Sequence, residues 1–170
     1  MDETQTTFPQ PGKFKLSQRS LSRLAGVHPD LLAVTHYAIR ITSVDFGIPE
    51  DGGVRTAYRQ MQLVSDGKSK TRDSRHLTGH AVDIYAYVNG AASWAVQDVM
   101  AVHRAFVRAS EELGVGLRWG GDWDGDGVTE KGENDYVHHE LPKRFYGPDA
   151  IVTRPARSKL AIEFLLLVNG

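Results

Sequence analysis

Hydrophobic residues recur at intervals of three and four over much of the first 70 residues, which predicts a helical start to the chain. A first helix begins near Ser17, and Gly26 can end it. A second helix begins at Pro29, a residue suited to a first helical turn, and continues over 31–41. A third helix is closed by Gly67. The chain therefore opens with three predicted helices.

The pattern changes to alternation in AVDIYAYV (81–88), which is typical of a strand with one buried face. The polar face of this strand is expected to carry Asp83. The opposite face, directed to the core, is expected to hold the four apolar residues Val82, Ile84, Ala86 and Val88.

A long amphipathic helix is predicted from about Ser93 to Leu113, with Gly114 as its C-cap. Further strands are predicted at 117–119 and 136–141. The predicted apolar stripe of the helix consists of Val96, Val99, Phe106 and Leu113. The predicted helices come first along the chain, the strands come later, and the connections between strands are as short as those of hairpins. This order predicts an α+β domain with a central antiparallel sheet and helices packed on one side.

The composition of the chain mainly excludes certain classes of protein and of site. A chain of 170 residues with 41% hydrophobic and 24% charged residues fits one globular domain. A net charge of -1 argues against a nucleic-acid or anionic membrane surface, and zero cysteines exclude disulfides and thiol nucleophiles. The apolar segment 160–168 is about half as long as a membrane span, so we expect a core strand or a docked terminal helix. The acidic start, without a signal-peptide pattern, predicts synthesis in the cytosol.

The segment SRHLTGHAVD (74–83) concentrates ligand-type side chains around one glycine. Catalytic zinc sites take three protein ligands from His, Asp and Glu, and leave one position open. His76 and Asp83 can supply two of these ligands, with Gly79 allowing the chain to bend between them. The alternative interpretation is a polar loop without a metal.

A third ligand is available in NDYVHHEL (134–141), which contains His138 and His139. His138 is preferred because Asp135, three residues before it, can act as a general base. Positions i and i+3 of a regular strand point to opposite faces, so Asp135 is expected in the loop or in a bulge just ahead of the strand.

The remaining polar residues near these motifs receive supporting roles. Ser74, His80 and His139 are candidates for positions behind the metal ligands or facing a substrate. His28 is interpreted as a helix cap or surface residue, and the helical His36 and His103 as satisfied structural side chains.

A second metal site is predicted in DWDGDGVTEKGE (122–133), which fits the calcium-loop pattern D-x-D-x-D-G-x₅-E. The alternative is a solvated acidic turn. Because Glu133 lies two residues before Asp135, calcium binding could order the base, and we hypothesise that calcium gates activity. The predicted ligands are Asp122, Asp124, Asp126, the Val128 carbonyl and Glu133, with Gly127 at the sharp turn.

The pattern S-x-H-x-x-G-x-A-x-D in 74–83 resembles the signature of the zinc D-Ala-D-Ala carboxypeptidase / L-alanyl-D-glutamate endopeptidase family, and D-x-x-H at 135–138 resembles its second motif. Aspartate rather than glutamate at the base position is similar to the phage endolysin branch, as are GVHPDL (26–31) and LRWGGDWD (117–124). GVRT (53–56) resembles the segment whose arginine faces the substrate, which implies that Arg55 lies near the scissile carbonyl or a substrate carboxylate.

This resemblance, over about residues 14–142, implies a Hedgehog/DD-peptidase-like fold and a zinc endopeptidase that hydrolyses the L-Ala–D-Glu bond of the peptidoglycan stem peptide. Residues 1–13, with two prolines and several Thr and Gln, are expected to be a flexible arm. Residues 14–170 are then the catalytic domain, with a C-terminal extension at 143–170. The expected enzyme is a monomer without nucleic-acid partners or stable membrane insertion. It would be made in the host cytoplasm and act at the cell wall after membrane permeabilisation.

Two alternatives stay open at this point. One is a carboxypeptidase or dipeptidase of the same fold, because the cleft loops that determine substrate length cannot be judged from the sequence. The other is a non-catalytic zinc and calcium binding module, similar to the Hedgehog signalling domain. The presence of Arg55 and Asp135 favours catalysis, since a binding module has little need of a base beside an open metal position.

Overall fold

The helices follow the local sequence signals closely. The structure, a computed structural model, describes residues 12–147 and 159–169, so most of the predicted arm at 1–13 lies outside the described residues. Gly114 takes up the left-handed conformation (φ +63°) and ends the longest helix, as predicted. The helices are α1 (Gln18–Arg23), α2 (Pro29–Ile41), α3 (Ala57–Ser65), α4 (Val96–Leu113), α5 (Lys143–Tyr146) and α6 (Lys159–Asn169), with a short 3₁₀ helix at Arg75–Thr78.

The strands form two small antiparallel sheets. Their order is β1-β3-β4 in the first sheet and β2-β6-β5 in the second. The antiparallel α+β architecture is confirmed, but the predicted central sheet is divided in two. The strands are β1 (Asp45–Gly47), β2 (Ala81–Asp83), β3 (Tyr85–Val88), β4 (Ala91–Ser93), β5 (Arg118–Gly120) and β6 (Asp135–Glu140).

The single strand predicted over 81–88 is interrupted at Ile84. Its first part, β2, pairs with β6, whereas its second part, β3, pairs with β1 and β4. At the junction the Ile84 N–H donates to the Val137 carbonyl at 3.1 Å, and the Ile84 side chain is fully buried. The alternation of buried and exposed residues therefore continues through the break, although the hydrogen-bonding partners change.

The core lies between the sheets and the two longest helices, α2 and α4, with α4 contacting both β3 and β6. In α4 the predicted residues Val99, Phe106 and Leu113 are buried. Val96, which was predicted on the same apolar stripe, is 48% exposed. It stands at the first position of α4, which begins at Val96 rather than at Ser93.

The apolar C-terminal segment forms α6, a helix packed against α2 and α4. Phe164 contacts Tyr37 edge-on, with ring centroids 5.3 Å apart, and the Arg40 guanidinium lies 5.0 Å from the Phe164 ring centroid. Part of the proposed extension thus completes the core. No helix in the described ranges combines the length and the apolar character that crossing a membrane requires.

Candidate metal centre and active-site cleft

A tight turn places His76 at the start of the site. Ser74 caps the 3₁₀ helix by accepting a hydrogen bond from the His76 N–H at 3.4 Å. Gly79 ends that helix in the left-handed conformation (φ +71°), and a Cβ there would collide with the Gly26 carbonyl oxygen. Glycine at this position therefore lets the chain reverse and enter β2 within a few residues of His76.

Strand pairing brings the other two predicted ligands together. Asp83 lies directly opposite His138 in the antiparallel register of β2 and β6. Cross-strand neighbours on one face are within contact distance of each other. Asp83 and His138 are therefore placed together by the register, and the turn at Gly79 adds His76.

The ligand atoms of these three residues converge on one point. His76 Nε2 lies 3.2 Å from Asp83 Oδ1 and 3.3 Å from His138 Nδ1, and the latter two atoms are 2.9 Å apart. In a tetrahedral zinc site with bonds of about 2.0 Å, neighbouring ligand atoms are separated by about 3.3 Å. The three separations observed are close to that spacing.

Each of the two imidazoles makes a hydrogen bond on the side away from the point of convergence, and this bond determines which ring nitrogen carries the proton in the neutral form. His76 Nδ1 lies 2.7 Å from the Gly53 carbonyl, which can only accept, so Nδ1 carries the proton. His138 Nε2 likewise donates to Glu140 Oε2 at 3.0 Å. When both imidazoles are neutral, His76 Nε2 and His138 Nδ1 are thus acceptors that face each other and a carboxylate oxygen. Three acceptors that converge in this way can hold a cation.

The electrostatics of the cluster favour positive charge at the same point. Burial by itself lowers the pKa of His138, but its hydrogen bonds to Asp83 and Glu140 outweigh burial and raise the pKa to about 10. Burial likewise opposes ionisation of Asp83, yet His76 and His138 hold the pKa of its carboxyl well below its ordinary value. With no metal bound, the two carboxylates therefore stabilise a proton on His138, and a metal ion held by His138 Nδ1 would take the place of that proton.

Arg55 lies beside the cluster. Its Nη2 donates to the second carboxylate oxygen of Asp83, and its backbone N–H donates to the His76 carbonyl at 3.1 Å. The guanidinium is also held by the Asp51 carbonyl at 2.6 Å and by Gln60 Oε1 at 3.3 Å. Arg55 consequently fixes the orientation of Asp83 and places a positive charge next to the candidate metal centre.

Asp135 reaches the same cleft through an irregularity in β6. Between the pairs Trp119–His139 and Gly120–Asp135, the register advances by one residue on β5 and by four on β6. This bulge breaks the alternation, so that Asp135 and His138 line one cleft even though they are three residues apart. Asp135 as a whole is exposed to solvent, whereas its carboxyl group is partly buried. This burial and the repulsion from Asp83 raise the pKa of Asp135.

The cleft has a volume of about 620 Å³ and contains all three ligands together with Asp135, Arg55 and Ser74. Glu140, which holds His138 and is itself 5% exposed, was not among the residues singled out from the sequence. The sequence could have identified Glu140 as a partner of His138, because residues i and i+2 of a strand share a face and the chain reads H-x-E at 138–140.

Two of the candidates for positions behind the metal ligands or facing a substrate, His80 and His139, lie away from the cleft. His80 Nδ1 contacts Thr78 Oγ1 at 2.9 Å, and its ring lies 4.9 Å from that of His28, away from the cleft. His139 is on the opposite face of β6 from His138, fully buried against Phe106. Strand alternation explains this correction for His139, since consecutive residues point to opposite sides.

His139 is part of a neutral, structural pair. Its Nε2 lies 3.0 Å from His103 Nδ1, and burial lowers the pKa of His103 to about 4 and that of His139 well below its ordinary value. The interpretation of His103 as a satisfied helical side chain agrees with this contact. His28 caps α2, as predicted, because its Nδ1 accepts from the Asp30 N–H at 3.1 Å.

The acidic segment 122–133 is the loop between β5 and β6. One carboxylate oxygen from each of Asp122, Asp124 and Asp126 lies within 4.8 Å of the others. Gly127 has φ +84°, which fits the predicted sharp turn, and its N–H donates to Asp122 Oδ2 at 3.0 Å. Glu133 accepts from the backbone N–H groups of Trp123 at 2.6 Å and Glu130 at 3.0 Å, and thereby closes the loop.

An α+β domain with a carboxylate and a His–Asp–His cluster that could hold a metal ion, all lining one open cleft, is typical of hydrolases. The family model described as phage L-alanyl-D-glutamate peptidase matches residues 12–141, and the chain belongs to this family.

Two known L-Ala–D-Glu peptidases are similar to this chain in sequence, and one of them also in structure. The L-alanyl-D-glutamate peptidase of Escherichia phage T5 is 36% identical over 136 residues, which cover 75% of this chain and 98% of that protein. The crystal structure of the Serratia marcescens L-Ala D-Glu endopeptidase ChiX is similar with a TM-score of 0.66 and 37% identity, over 79% of this chain and 96% of that chain.

Proposed function

We propose that the protein is a zinc-dependent endolysin that hydrolyses the L-Ala–D-Glu bond in the stem peptide of bacterial peptidoglycan. The convergence of three possible ligand atoms in the cleft that Asp135 also lines carries this proposal. Membership of the phage L-alanyl-D-glutamate peptidase family supports the choice of the L-Ala–D-Glu bond as the bond that is cleaved. Synthesis in the host cytoplasm and action at the wall after membrane permeabilisation belong to the same proposal.

His76, Asp83 and His138 would hold the metal. Two imidazole nitrogens and one carboxylate oxygen, with an open side toward a cleft, form a donor set suited to catalytic zinc. When bound there, zinc supplies Lewis acidity, which polarises a peptide carbonyl and makes water more acidic.

Asp135 is proposed as the group that moves the proton. As a carboxylate it accepts a proton from the attacking water, and as a carboxylic acid it returns that proton to the departing amine nitrogen of D-Glu. A raised pKa suits this transfer, because the carboxylate is then a stronger base toward the water. Arg55, held next to Asp83, would stabilise the negative charge that develops on the carbonyl oxygen.

Mass spectrometry of digested peptidoglycan tests the proposal. Purified sacculi incubated with the protein and zinc are expected to release fragments with a new N-terminal D-Glu, while a chelator-treated control and Asp135→Asn release none. Loss of D-Ala alone would instead identify a carboxypeptidase. The absence of any zinc-dependent product would contradict the assignment of a zinc hydrolase.

We further propose that the loop 122–133 binds calcium and thereby orders the segment leading to Asp135. The three clustered aspartates and the turn at Gly127 support this idea. Calcium titration of activity, beside isothermal titration of calcium binding, is the measurement. If Glu133→Gln abolishes calcium binding and leaves full activity, calcium does not gate the enzyme.

A further inference from the structure

One wall of the active-site cleft carries two lysines that have no partner among the described residues. The wall is the segment following α3, residues 68–71, here called the lysine loop, and it faces the same cleft as the candidate metal ligands. Within the described ranges 12–147 and 159–169, the side chains of Lys68 and Lys70 make no ion pair or hydrogen bond. Both are exposed.

The other cations that line the cleft are already engaged. Arg55 is paired with Asp83, Arg118 with Glu140 at 3.3 Å, and Lys143 with Asp73 at 2.7 Å. The Arg75 guanidinium donates to the Leu141 carbonyl at 2.8 Å and the Tyr146 carbonyl at 3.4 Å. Among the described residues that line the cleft, the two lysines of the loop are therefore the cations that are not already paired.

The lysine loop is held in place by the same network that holds the metal ligands. Gln60 is 1% exposed, and its Nε2 donates to Ser69 Oγ at 2.8 Å and to the Thr71 carbonyl at 2.7 Å. Its Oε1 accepts from Arg55, which in turn holds Asp83. The N–H groups of residues 68 and 69 also donate to the Leu63 carbonyl, at 2.8 and 3.0 Å. The backbone that carries the lysines is thus fixed relative to the candidate metal centre.

The chemistry of the scissile unit supplies an anion for these cations. Glutamate has two carboxyl groups, and only one can continue a peptide chain, so the residue on the leaving side of an L-Ala–D-Glu bond always bears a second carboxyl group, which is a free carboxylate unless it is amidated. That carboxylate has to enter a cleft that already contains the carboxyl groups of Asp135 and Asp83. Without compensating cations, like-charge repulsion disfavours its binding.

We propose that Lys68 and Lys70 bind the free carboxylate of the D-glutamate residue and so select glutamate on the leaving side of the bond. Gln60 is a positioning residue in this subsite, because it fixes the lysine loop to Arg55. This inference rests on the proposed function, and it adds the residues that recognise the substrate.

Two soluble peptides test the subsite: one contains L-Ala–D-Glu with its free carboxylate, and the other has the same carboxylate converted to an amide. The measurement is kcat and KM for the wild type, for the double variant Lys68→Gln with Lys70→Gln, and for Lys15→Gln as a control. Lys15 is also exposed but does not line the cleft. Circular dichroism of each variant shows whether the fold is kept.

On the free-carboxylate peptide, the double variant is expected to lose about tenfold in kcat/KM, chiefly through a higher KM. On the amide it should match the wild type, and Lys15→Gln should match the wild type on both peptides. Arginine at both positions should restore the preference for the carboxylate. Rising ionic strength should reduce the preference of the wild type for the free-carboxylate peptide over the amide, because the lysines are exposed to solvent.

The possible failures are distinguishable. If the wild type cleaves neither peptide between L-Ala and D-Glu, the proposed function fails and the subsite fails with it. If the wild type cleaves both peptides equally well, or the double variant loses the same factor on both, the function stands and the carboxylate assignment is overturned.

Discussion

The hydrogen bond from His138 to Glu140 leads to a quantitative prediction about metal affinity. Glu140 Oε2 accepts from His138 Nε2 at 3.0 Å, and Oε1 accepts from Arg118 at 3.3 Å. In Glu140→Gln the side chain keeps its shape and one acceptor oxygen but loses its charge. His138 can retain its hydrogen bond, while the acceptor becomes neutral and the bond is no longer charge-assisted.

The expected size of the effect follows from these contacts. Carboxylates that accept from a ligating imidazole typically change metal affinity by about 10- to 100-fold when they are removed. Because Glu140→Gln preserves an acceptor, we expect about tenfold weaker zinc binding, or about 1.4 kcal/mol. Glu140→Ala removes the acceptor and frees the imidazole to rotate, so it should reach the upper end of the range.

A competition titration against a chromophoric chelator measures the zinc affinity of each variant. Glu111→Gln, which changes an exposed carboxylate on α4, is the matched control and should bind zinc as the wild type does. If Glu140→Ala also binds zinc with unchanged affinity while remaining folded, Glu140 does not set the protonation of His138. The assignment of a bare lone pair to His138 Nδ1 on the basis of this hydrogen bond would then be refuted.

Three further expectations concern the cleft and its supporting turn. Asp135→Asn should lower kcat by about 10²- to 10⁴-fold with zinc binding unchanged, and equal turnover would show that Asp135 is not the base. Since the base must be ionised and the pKa of Asp135 is raised, wild-type kcat/KM should fall as pH drops through a value above that of an ordinary aspartate. Gly79→Ala should destabilise the fold by about 1–3 kcal/mol in urea unfolding, because φ is +71° and the added Cβ meets the Gly26 carbonyl; unchanged stability would contradict this. Chelation should abolish activity, and zinc but not magnesium should restore it; magnesium rescue would indicate a different ion.

The features that the sequence alone determined are those with local signals. Helix bounds follow from capping residues and periodicity, as at His28 and Gly114, because these signals act within one turn of the chain. The grouping of His76, Asp83 and His138 was predicted from residue type, spacing and family resemblance, and the structure brings their ligand atoms together. Asp135 was expected in the loop or in a bulge just ahead of the strand, because i and i+3 residues of a regular strand cannot share a face, and the structure has a register shift at this point.

Other features depend on strand pairing, which local sequence patterns do not encode. The pattern of 81–88 is that of one strand, yet the chain passes from one sheet to another at Ile84. His80 and His139 are histidines beside ligands in sequence, but the turn and the strand alternation direct them away from the cleft.

The tertiary structure also decided which residues support the ligands. Glu140 meets His138 only because both lie on one face of β6, and Gln60 joins Arg55 to a loop that follows its own helix. Such contacts arise from the relative placement of elements, which is fixed by burial of the whole core rather than by the preferences of any one segment. Residue chemistry therefore defined the candidate site, and the packing of the two sheets against α2 and α4 defined its geometry.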